Sequence, residues 1–158
     1  MLKTTNDQKK INTIWKKEPY KIGRDKKVFS SDEMIDAYFK GKSDALKETE
    51  QMLQNNFIEN LASAKKLCEN IYIHLKENNI NCKKVLLRPF SITTFDSLFI
   101  VPKKDYISSD FIAFYKYAQT IKNEHNKELF YFDVAFMPYS NKIDNVRISS
   151  DGYTLSYG

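Results

Sequence analysis

The chain reads as an α/β (α+β) fold, a mixed β-sheet of four to five strands with helices on one face, preceded by a long helical segment and a basic N-terminal arm. Three observations predict it. Apolar residues recur at spacings of 4, 3, 4, 3 and 4 from Phe57 to Leu75, which is a helical period. Beyond Asn78-Asn79 the period shortens to strand-like runs. Two of those runs, FDSLFIVP at 95–102 and FDVAFMP at 132–138, flank a second helical pattern, the order of a βαβ unit.

Residues 1–30 form the arm. They hold nine Lys/Arg against three acidic residues, a net +6, which leaves −1 for the rest of a chain whose total is +5. The basic character therefore belongs to the arm and not to the fold behind it. Periodicity is weak here, so the arm is expected to be mostly irregular, with a short helix near 7–17 and interruptions at Pro19 and Gly23.

The second segment, 31–79, is read as a long helix or a helical hairpin. Ser30-Ser31-Asp32-Glu33 supplies a cap and two carboxylates for the positive helix end. The pattern runs through Met34, Ile35, Tyr38 and Phe39, with a candidate break at Asn55-Asn56. Phe57, Leu61, Ala64, Cys68, Ile71 and Leu75 then make an a/d seam over about three heptads. A helix packed on its own sheet accounts for that seam, since Ile58, Leu67 and Tyr72 widen the stripe. Self-association of two copies through the seam is the sharper reading.

The third segment, 80–158, is the α/β part, and 31–158 is expected to fold as one unit. KVLLRPF (84–90) and FDSLFIV (95–101) are strands joined by a short turn, hence antiparallel. Ser108-Ser109-Asp110 caps a helix reaching about Asn126, and LFYFDVAFM (129–137) is the strand that completes the crossover. Asp151-Gly152 lies between two alternating runs and predicts a terminal β-hairpin.

Chemistry has few carriers. Asp96 and Asp133 are the candidate catalytic carboxylates, because acids on adjacent parallel strands can share a divalent ion. Stretch 84–137 resembles the nucleotidyltransferase fold, with a βαβ-like core and acidic residues on neighbouring strands. That family places a Gly-Ser turn and a short helix before an Asp-x-Asp pair. Here Arg88-Pro89-Phe90-Ser91 lacks the Gly, five positions separate Ser91 from Asp96, and Leu98 stands where the second Asp belongs. The resemblance thus implies a catalytically degenerate domain. No His/Cys set has metal-ligand spacing, and the four glycines (Gly23, Gly41, Gly152, Gly158) form no phosphate-cradling loop, so neither metal nor cofactor is expected.

The arm interleaves rings and cations: Trp15, Lys16, Lys17, Tyr20, Lys21, Arg24, Lys26 and Lys27. Nucleic acid could be held by such a set, the cations on phosphates and the rings on bases. Basic aromatic arms also dock on acidic proteins or fold back on their own domain. With no apolar segment of membrane length and two cysteines without a disulfide pattern, the expectation is a cytoplasmic protein with no membrane partner. The leading functional expectation is a non-enzymatic interaction or assembly module, partnered by another protein or by a second copy as a homodimer. The alternatives are a nucleic-acid-associated protein and the degenerate nucleotidyltransferase-like domain.

Overall fold

A computed structural model describes residues 15–17, 32 and 47–157 of the chain. The helix start at 30–33 and the pattern through Phe39 lie outside these residues, Asp32 aside. So does most of the arm.

Strand β1 (Trp15–Lys17) stands where a short helix was expected. Helix α1 (Lys47–Glu77) follows and passes Asn55-Asn56 without a break, so over these residues it is one helix and not a hairpin. Glu48 and Glu50 in its first turn and His74 and Lys76 in its last complement the helix dipole. Its end is a Schellman motif. Asn79 adopts φ 62°, the Ile80 N–H reaches the Leu75 carbonyl at 2.9 Å and the Asn79 N–H reaches that of Lys76 at 3.0 Å. Ile80 and Leu75 both enter the core, which fixes the exit angle.

Strands β2 (Lys84–Pro89) and β3 (Thr94–Val101) pair antiparallel, as their short connection requires. Pro102 ends β3, the short helix α2 (Lys103–Tyr106) follows, and a 3₁₀ turn capped by the Ser108 hydroxyl leads into α3 (Ile112–His125). Strand β4 (Tyr131–Pro138) returns parallel to β3.

The predicted terminal hairpin does not form. Asn145–Ser150 is helix α4, capped by the Asp144 carboxylate on the Arg147 N–H at 3.0 Å, and only Leu155–Tyr157 is a strand, β5. Gly152, at φ 99°, serves as the left-handed exit from α4 instead of a hairpin turn. Strand order is β1-β5-β2-β3-β4, with β5 antiparallel to both its neighbours.

The two long helices cover one face of this sheet. The seam of α1 and the apolar side of α3 (Phe114, Ala118, Ile121) meet Phe95, Phe99, Phe132 and Phe136. His74 of α1 stacks on Tyr117 of α3 with ring centroids 3.8 Å apart, joining the two helices. Each wholly buried ring contributes roughly 2–3 kcal/mol by leaving water. The opposite face has a smaller cluster, Leu86, Leu98 and Ile100, packed against Met137 of β4 and against Ile143, Ile148 and Tyr153 from the segment around α4. Asp96 and Asp133 alternate with the core phenylalanines of their strands and stand on this same face.

Candidate functional site

Asp96 and Asp133 are direct partners in the parallel register of β3 and β4. Parallel partners project to the same side, and both acids alternate with core phenylalanines (Phe95, Phe132), so both carboxylates stand on the face away from α1 and α3. The juxtaposition that two-metal chemistry would require is therefore present in the backbone. Its electrostatics differ, because each carboxylate already has a cation.

Arg88, the cross-strand neighbour of Asp96, donates through both Nε (3.0 Å) and Nη2 to Asp96 Oδ2. Its Nη1 donates to the Asp151 carbonyl at 2.9 Å, and its guanidinium lies 5.4 Å from the Phe90 ring centroid and 5.1 Å from that of Tyr153. Burial works against the guanidinium charge, but the hydrogen bond and charge of Asp96 outweigh it and hold the group above its ordinary value. Arg88 thereby ties the segment after α4 to the sheet.

Asp133 is held from the other side. Lys122 on α3 reaches around the edge of the sheet to place Nζ 2.6 Å from Asp133 Oδ1, and the same oxygen accepts the Val134 N–H at 2.9 Å. The Asp133 hydrogen bond lifts the Lys122 ammonium above its ordinary value. Two carboxylates and two cations make a neutral strip. Among the described residues, no group of three or more His, Cys, Asp or Glu is placed to hold a metal ion. Leu98, at the position where the nucleotidyltransferase pattern needs its second acid, is buried in the smaller apolar cluster.

The six seam residues Phe57, Leu61, Ala64, Cys68, Ile71 and Leu75 are all buried in the main core. The surface that would receive a second copy along the seam is covered by the chain's own sheet. Of the arm, Trp15, Lys16 and Lys17 form β1, paired with Tyr157, Ser156 and Leu155. Tyr20, Lys21, Arg24, Lys26 and Lys27 lie outside the described residues.

Both cysteines are free thiols in the interior. Burial pushes Cys68 far above its ordinary value, and it pushes Cys82 up to about 12 against hydrogen bonds to the Lys84 and Ile100 carbonyls. Neither is a nucleophile at neutral pH. An open cleft of about 360 Å³ lies where α1 ends, lined by Asn78, Ile80, Asp105, Ser108, Asp110, Phe111, Ala113 and Phe114.

A feature absent from the sequence reading lies at the loops that lead into β3 and β4. Asn60 on α1 donates through Nδ2 to the Ile92 carbonyl at 3.0 Å and to the Leu129 carbonyl at 2.9 Å. One amide thus clamps the two loops that feed β3 and β4. Those loops and the start of β4 present Phe90, Leu129 and Tyr131, exposed at 70%, 64% and 46%. A pattern of loop apolars flanking two strands was the available signal, but nothing local showed that the loops are adjacent.

No family model, curated protein or solved structure matches the chain. Among the described residues no helix is long and apolar enough to cross a membrane.

Proposed function

We propose that the chain is a non-enzymatic cytoplasmic interaction module that binds another protein through the rim formed by Phe90, Leu129 and Tyr131. The observation that carries this reading is the Asn60 clamp, which fixes exposed apolar side chains on a rigid support. Side chains already ordered before binding lose little entropy on contact, and aromatic anchors bordered by polar groups are the usual centres of binding energy. The neutral Arg88–Asp96 and Asp133–Lys122 strip would supply that polar border. Two unpaired thiols in the interior suit a reducing compartment.

A photocrosslinking residue at Phe90 or Leu129, compared with one at the equally exposed Val146, tests the reading in cells. Crosslinks to one discrete protein from the rim positions, lost with Tyr131→Asp, support it. Crosslinking that is equal at Val146, or absent from the rim, removes it. A product of twice the chain mass identifies the partner as a second copy.

One observation bears on nucleic acid. Lys16 and Lys17 are joined to the sheet through β1, which would anchor any basic arm to the fold. Oligonucleotide binding that falls with salt and vanishes without residues 1–27 would favour that reading. A Mg²⁺ titration by calorimetry, repeated on Asp96→Asn, addresses the degenerate nucleotidyltransferase.

A further inference from the structure

Strand β4 ends the sheet, and among the described residues nothing pairs with its outer side. The Tyr131 and Tyr139 N–H groups point inward, to the Thr93 and Val101 carbonyls. In a parallel ladder both backbone groups of a residue face the same neighbour, so Phe132, Val134 and Phe136 face outward. An exposed strand edge of this length invites pairing with another chain.

Its outward groups are already engaged. The Phe132 N–H donates to Asn126 Oδ1 at 2.7 Å, and Asn126 Nδ2 donates back to the Phe132 carbonyl at 3.1 Å. The amide of Asn126 thus imitates one rung of a neighbouring strand. The Val134 N–H donates to Asp133 Oδ1, which Lys122 holds from above, and Pro138 has no N–H to offer.

We propose that the outer edge of β4 is a latent pairing surface for a second copy of this chain, kept shut by Asn126 and the Asp133–Lys122 pair. The edge is self-complementary. An antiparallel partner centred on Val134 sets Val134 against Val134 of the second copy and Phe132 against Phe136. Each hydrogen bond of that ladder uses the Phe132 N–H, the Val134 N–H or the Phe132 carbonyl, and those are the three groups the side chains occupy. This assigns Asp133 a role beyond the polar border of the rim.

The test is mass by light scattering over a concentration series. Relative to the parent, Asn126→Ala with Asp133→Ala is expected to shift toward twice the mass as concentration rises. Adding Val134→Pro, which brings no N–H to the edge, is expected to restore the parental mass. A double variant with parental mass and parental circular dichroism overturns the proposal. So does association that survives Val134→Pro. Should the double variant unfold, Asp133→Ala alone frees the central N–H and carries the test, and parental mass there is equally fatal.

Discussion

Gly152 lies against Arg88 so closely that a Cβ at residue 152 would meet Arg88 Cδ at 3.0 Å and Cγ at 3.1 Å. Its φ of 99° adds backbone strain for any L side chain. Gly152→Ala is therefore expected to destabilise the fold by about 1–3 kcal/mol. The midpoint in urea should fall with an unchanged slope, and an unchanged midpoint would show that Arg88 can yield.

Arg88 makes three hydrogen bonds, two to Asp96 and one to the Asp151 carbonyl. Arg88→Met leaves Asp96 without its cation and frees the Asp151 carbonyl, at an expected cost of about 2–3 kcal/mol. Asp96→Asn keeps the shape and removes one charge, so it should cost less. A larger loss in Asp96→Asn than in Arg88→Met would show that Arg88 is not what ties the segment after α4 to the sheet.

Asn60→Ala removes two hydrogen bonds to different loops, with an expected loss of about 1–2 kcal/mol. Amide exchange should accelerate around 90–93 and 127–131 while the rest of α1 stays protected. The same variant should weaken rim crosslinking, because the side chains lose their common support.

The buried thiols give the pH dependence its sign. In the folded chain the Cys82 thiol is raised from its ordinary 9.0 to about 12, and that of Cys68 is raised further, both chiefly by burial. The unfolded state therefore releases protons first. Stability is complete below pH 9 and declines as pH rises through the folded value. Tyr153 and Tyr157, also raised by burial, act in the same direction. Urea midpoints should fall between pH 9 and 10.5, less steeply in Cys82→Ala. Thiol labelling at pH 8 should follow global unfolding.

Local periodicity carried much of the architecture. The seam of α1, the antiparallel turn between β2 and β3, and the parallel placement of Asp96 beside Asp133 all follow from spacing and connection length. Where one sequence signal serves two structures, the reading erred. Asp-Gly suits both a tight hairpin and a helix exit, and Asp144 capping Arg147 decided for the helix. Asn55-Asn56 fits inside α1 because the packing around Phe57 outweighs weak local preference. The clamp from Asn60 and the reach of Lys122 around the sheet edge join residues far apart in the chain, so no local pattern could announce them.

The place of β5 between β1 and β2 has a consequence for biosynthesis. A ribosome delivers β1 long before the strand it pairs with, because α1 and strands β2 to β4 lie between them in the chain. Until residues 155–157 clear the exit tunnel, β1 has no ladder to join, and Val85–Leu87 of β2 stay bare along one side. Nascent chains stalled short of that point carry an unpaired strand edge, and β1 joins the sheet only after β5 has been made.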